Sequence, residues 1–151
     1  MKFRRIEYAL VFFFAFIGSC SNHKPMNNSP SPSDPAALSG IEWLLSDLAG
    51  TPVVPNSKAS LSFLEAGRAA GNASCNRFAG SVTISGDSIK FGQLASTRMA
   101  CPDNAISAQE DQYLKLLEAA KRFELKDNSL LIFAEGSEKP LRFTRQAPSH
   151  P

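Results

Sequence analysis

The side chains that could do chemistry in this chain are few and gathered in two short stretches and a helix-like segment. Cys75, Asn76 and Arg77 stand together, Arg98 and Cys101 fall close to one another, and Glu110 follows. Two guanidinium groups and a carboxylate suit recognition of a small anion or carboxylate, because the planar arginine fork matches such groups. Asn76, Arg77, Arg98 and Glu110 are therefore the candidate binding patch. Residue type alone favours a plainer role. Arg77 and Arg98 pair internally with Glu110 or Asp103, or cover carbonyls at loop ends, because a binding patch needs a pocket. Catalysis is harder to assemble. Both histidines are peripheral, His23 in a proline-rich stretch and His150 beside the C-terminus, so neither a histidine triad nor a histidine-rich metal site has a ligand within the folded part. The cysteines lack Cys-x-x-Cys spacing and a histidine to activate a thiolate. Gly71 and Gly80 are not followed by the helix and Lys-Ser/Thr of a phosphate loop. The carboxylates show no metal-ligand spacing. The expectation is a non-enzymatic protein with no catalytic residue, no metal and no cofactor.

The first residues read as an address. Lys2, Arg4 and Arg5 precede an apolar run of ten residues, Tyr8 to Ile17. That is short of the roughly 20 residues a membrane-spanning helix needs, and it fits the core of a secretory signal. The run ends in Ile17-Gly18-Ser19-Cys20, which resembles the lipobox of bacterial lipoproteins. The resemblance implies removal of residues 1–19 and acylation of Cys20, the protein's contact with the membrane. Ser21, where an aspartate would retain such a protein at the inner membrane, implies an outer-membrane anchor facing the periplasm. Residues 20–40, rich in proline, serine and asparagine, are expected to be a linker, since they cannot bury enough apolar surface to offset their ordering entropy. In an exported chain the two remaining cysteines suggest a Cys75–Cys101 disulfide. Of 16 basic and 14 acidic residues, three and one lie in the first seven positions, leaving 13 of each. A formally neutral domain argues against a nucleic-acid partner.

The elements that must position these residues are mostly strands. Trp43 sits in Ile41–Leu45, Leu61 and Phe63 share one face of 59–64, and Val82 and Ile84 lead through Ser85-Gly86-Asp87 to Ile89 and Phe91. Phe123 and Leu125 precede an Asp127-Asn128 turn, Leu130–Phe133 follows, and Leu141 and Phe143 resume the alternation after Gly136. Phe63, Phe91, Phe123, Phe133 and Phe143 are expected in the core. Only Ser107 to Lys121 has helical spacing, through Tyr113, Leu114, Leu117 and Ala120, with Ser107 and Glu110 as a capping box. The expected fold is α+β, mainly β: six to eight antiparallel strands with one helix before the last three, over residues 41–145, and a disordered tail at 146–151.

The stretch from Gly71 to Gly80, GNASCNRFAG, and that from Phe91 to Cys101, FGQLASTRMAC, resemble in order and spacing the two signatures of the META/HslJ-like domain family. Trp43-Leu44-Leu45, Gln109-Glu110 and the terminal Leu141 and Phe143 match further landmarks. Phe78 and Val82 stand where many members carry tyrosines, so no role resting on a hydroxyl there carries over. The resemblance implies a curved antiparallel sheet, close to a half-barrel, with a helix against it. It also implies an envelope protein of stress or antibiotic tolerance, envelope maintenance or secretion, acting through an envelope protein or small ligand. A periplasmic inhibitor of a hydrolase such as lysozyme, or a carrier of a small apolar ligand, is the alternative.

Overall fold

The computed structural model describes residues 34–64, 67–101 and 103–146. The expected signal segment, Cys20, most of the linker and nearly all of the tail lie outside them. Among the described residues there are ten strands: β1 (Glu42–Leu48), β2 (Thr51–Pro52), β3 (Ser60–Phe63), β4 (Arg68–Asn72), β5 (Arg77–Ser85), β6 (Ser88–Phe91), β7 (Ala95–Ser96), β8 (Ala120–Lys126), β9 (Ser129–Ala134) and β10 (Leu141–Arg145). One helix, α1 (Asn104–Glu118), precedes the last three.

The expected half-barrel is instead a closed barrel. Neighbouring strands pair antiparallel in the order β10-β9-β8-β6-β5-β4-β3-β1, and β1 then pairs β10, with Trp43 opposite Arg145 and Leu45 opposite Phe143. An open half-barrel would leave two rows of unpaired N–H and C=O groups, and joining the first and last strands removes both. The two-residue strands β2 and β7 are additions, on β1 and β5 respectively. One seam is narrow. β6 meets β8 only at Ser88 opposite Arg122, supported by the Phe123 amide donating to the Asp87 carbonyl.

Alternation sets the two faces. Trp43, Leu45, Leu61, Phe63, Phe78, Val82, Ile89, Phe91, Phe123, Ile132, Leu141 and Phe143 form one buried cluster. Phe133 departs from the expected core set. It falls on the outer face of β9, half-buried, with the Arg122 guanidinium 3.7 Å from its ring centroid and Arg122 paired to Glu124. Its backbone sits one residue out of phase with Leu130 and Ile132, which are fully buried.

Order begins before Ile41, inside the stretch expected to be linker. Pro35–Leu38 makes a single 3₁₀ turn capped by Asp34, whose carboxylate accepts from the Ala36 amide. Leu38 is fully buried, its carbonyl accepts from the Trp43 indole at 3.3 Å, and Ser39 bridges Phe63. A large apolar side chain against the tryptophan offsets the ordering cost that the polar residues before it cannot.

Candidate functional site

α1 lies across one end of the barrel, and its buried face is what holds the loops there. Asp103 is the N-cap: its carboxylate accepts from the Ile106 amide at 2.8 Å. The helix therefore starts earlier than Ser107, and the expected capping box does not form. Ser107 lies in the first turn, and Glu110 is turned inward to other partners. Tyr113, fully buried, donates to the Ser60 carbonyl at 3.1 Å and meets Phe78 edge-on and Phe143 at a tilt. Burial without a charged partner pushes its phenol well above the usual value. At the far end, Glu118 accepts from the Leu94 amide at 3.0 Å.

Gln109 and Glu110 fasten two loops. Gln109 accepts from the Val54 amide at 2.6 Å and donates to the hydroxyls of Ser57 at 2.6 Å and Ser74 at 2.7 Å. Glu110 takes the Asn76 amide at 2.7 Å and the Cys75 amide at 3.2 Å on one oxygen, and the Asn76 side-chain amide at 2.8 Å on the other. Asn76 is 3% exposed and works in the opposite direction too. Its side-chain oxygen accepts from the Thr97 hydroxyl and the Met99 amide, both at 2.8 Å, and its carbonyl takes the Ala73 amide at 2.7 Å. A buried carboxylate with three N–H donors is satisfied, which is the condition for keeping it in a core. Cys75 and Cys101 form the expected disulfide, with Cα atoms 5.7 Å apart. The loops at 73–76 and 97–101 are thus tied together twice, once by sulfur and once through Asn76.

Gly71 has a packing reason for lacking a side chain. A Cβ there would run into the Ser60 carbonyl oxygen and the Phe78 ring. This is what a glycine opposite an aromatic residue in an adjacent strand does: Gly71 faces Phe78 across β4 and β5.

A sequence model of the META domain matches residues 36–148. The chain belongs to the META domain family. Three solved structures resemble the META domain described here. An NMR structure of a protein from Burkholderia xenovorans is 27% identical, with a TM-score of 0.62 over 79% of this chain and 92% of its own. A second NMR structure is 25% identical, with a TM-score of 0.60 over 73% and 92%. A crystal structure of a duf4847 family protein from Bacteroides vulgatus ATCC 8482, at 14% identity, TM-score 0.57 and coverage of 74% and 98%, shares the fold alone. No curated protein matches this sequence.

Of the four patch residues in this META domain, the structure joins two. Asn76 and Glu110 bond directly, whereas Arg77 and Arg98 are exposed at the rim. The expected pairing of either arginine with Glu110 or Asp103 does not occur. The ion pairs among the described residues are Lys121–Glu135 and Arg122–Glu124. Both acids are engaged elsewhere, Glu110 by amides and Asp103 by the helix start, so the arginines face solvent. Arg77 also borders an open groove of about 390 Å³ on the outer face of β1, β3, β4 and β5, with Glu42, Lys58, Ser60, Ser62 and Asn72. Sequence reasoning missed this groove. The available signal was the alternation that puts Ser60 and Ser62 opposite in phase to Leu61 and Phe63, leaving small polar side chains between longer charged ones.

Proposed function

We propose that this META domain protein is a non-enzymatic binding module of the bacterial cell envelope, anchored through an acylated Cys20 and serving stress tolerance, envelope maintenance or secretion. The single observation that carries the reading is the division of labour at the rim. The buried Glu110 has its oxygens occupied by three N–H donors, while Arg77 and Arg98 stay exposed on loops tied twice. Three of that carboxylate's four lone-pair positions are spent on holding the loops, which leaves it poorly placed for general acid–base work. Exposed guanidinium groups on a rigid rim suit an anionic or carboxylate-bearing partner. The carrier alternative loses support from the interior, where Trp43, Phe63, Phe78, Phe91, Tyr113, Phe123 and Phe143 pack as one cluster.

The test uses the full chain in mild detergent as bait in envelope extracts of heat- or antibiotic-stressed cells. A partner retained by the wild type is lost from Arg77→Ala/Arg98→Ala while the melting temperature holds. A hydrolytic rate on ester, phosphate, peptide or glycan substrates that vanished in a folded Glu110→Gln protein would overturn the reading.

A further inference from the structure

Cys75, Cys101 and Glu110 each present a ligand atom within 4.8 Å of the others, although the chain separates them widely. While the sulfurs are bonded to each other, neither is a thiolate, and only the thiolate binds a metal. We propose that reduction of the disulfide converts this rim into a three-ligand site for a thiophilic divalent cation of the zinc type. The reduction is a two-electron exchange with a dithiol: the Cys75–Cys101 bond breaks, the dithiol closes to its own disulfide, and its two protons pass to the freed thiols. Metal binding then displaces those two protons to solvent.

Three features favour the site. First, the loops do not depend on sulfur to stay together. The Asn76 oxygen holds Thr97 and Met99, its amide holds Glu110, and its backbone holds Ala73 and Glu110, none through a cysteine side chain. The ligands therefore stay close after reduction. Second, the distances need little change. With zinc–sulfur bonds of about 2.3 Å and a zinc–oxygen bond of about 2.1 Å, tetrahedral ligands lie about 3.5–3.8 Å apart, so the Glu110 oxygen, within 4.8 Å of both sulfurs, closes by about an ångström at most, and the two freed sulfurs separate from bonding distance to about 3.8 Å. Third, the carboxylate is oriented in advance. Glu110 accepts three hydrogen bonds, and an ionised carboxylate has about four lone-pair positions, leaving one for a cation. N–H donors behind a ligating carboxylate are the outer-shell arrangement that metal sites use. The Met99 carbonyl lies 4.0 Å from one sulfur and 3.9 Å from the other, and both cysteines are only half-buried, so solvent water can supply a fourth ligand. Two sulfurs and one oxygen select zinc-like ions over magnesium or calcium.

The experiment treats the full chain, in detergent, with a phosphine reductant that does not compete as a thiol, then titrates Co²⁺ alone and back-titrates Zn²⁺. Reduced wild type should develop thiolate-to-cobalt absorption in the near ultraviolet and visible bands of a tetrahedral ion, saturating at one equivalent and bleached by zinc. Oxidised protein should show neither. Cys75→Ser/Cys101→Ser should abolish the bands, which also separates them from any contribution of Cys20. Glu110→Gln should weaken binding by about tenfold or more. The proposal is overturned if reduced protein with a native circular dichroism spectrum shows no bands. It fails equally if Glu110→Gln binds as well as wild type, or if reduction alone unfolds the barrel.

Discussion

Replacing Asn76 by alanine isolates the share of the rim that the disulfide does not carry. The side chain makes bonds at 2.8 Å to the Thr97 hydroxyl, the Met99 amide and Glu110, and a longer one at 3.4 Å to the Met99 carbonyl. These losses are unequal. Met99 is 62% exposed and Thr97 is exposed, so water replaces much of what they lose. Glu110 is buried, and the oxygen that faced the Asn76 amide keeps its desolvation cost without that donor. An orphaned buried polar group costs about 1–3 kcal/mol, more when charged, and each rim bond nets about 0.5–1.5 kcal/mol before water compensates for some of it. The sum is about 2–4 kcal/mol. For a domain of this size that lowers the melting temperature by about 8–15 °C. The assay is thermal unfolding of the oxidised full chain by circular dichroism, with Arg77→Ala as a surface control expected within about 0.5 kcal/mol of wild type. Asn76→Asp should be worse than alanine, because it sets a second carboxylate against Glu110. If Asn76→Ala melts no lower than Arg77→Ala, the rim does not depend on this residue and the reasoning fails.

Reduction should destabilise the domain by roughly 3–4 kcal/mol on the chain-entropy account of a loop spanning 26 residues, read as a drop of several degrees or more in melting temperature. Two titratable thiols at 75 and 101 in protein isolated without reductant would refute the bond. Tyr113 predicts alkaline behaviour: its folded phenol titrates well above 10.0 and its unfolded phenol near it, so its contribution is intact below pH 10.0 and lost as pH rises above it. Tyr113→Phe should lower stability at neutral pH by about 1 kcal/mol, for the bond to Ser60, yet flatten the decline above pH 10.0. An unchanged alkaline slope would assign that decline elsewhere. Labelling with a palmitate analogue should mark the wild type and not Cys20→Ser; equal labelling would remove the lipid anchor from the proposed function.

Much of the site's neighbourhood was legible because it rests on local chemistry. The period-two runs located β1, β3, β6 and β8–β10, the helical spacing of Tyr113 and Leu117 placed α1, and the cysteine count, taken with the export that the N-terminal pattern leads us to expect, gave the disulfide. What escaped depended on contacts distant in sequence. Barrel closure is a register between Trp43 and Arg145, which no window of residues contains. Strand β4, Arg-Ala-Ala-Gly-Asn, has no large apolar residues whose alternation could be read, and its Gly71 leaves room for the Phe78 ring and the Ser60 carbonyl. Glu110 was misassigned for a related reason. Its spacing from Ser107 satisfies a capping pattern, but Asp103 reaches the first turn before it, and the unpaired amides at 75 and 76 claim the carboxylate. The arginines were expected to pair with the acids nearest in type, and those acids were already taken.

Joining the first strand to the last also settles how the domain bears a load. Strand β1 is bonded along one side to β3 and along the other to β10, and the Gln146 amide closes on the Glu42 carbonyl. Tension arriving through the N-terminal segment must first pull Leu38 from under Trp43 and then act along β1. There the pull runs parallel to the strand, so the bonds on both flanks share it at once and cannot break singly in turn as those of a peeled edge would. Forced unfolding follows the rate of that cooperative rupture. If the proposed anchor holds the module by one end while a partner tugs at its rim, the grip falls on a strand braced along both sides.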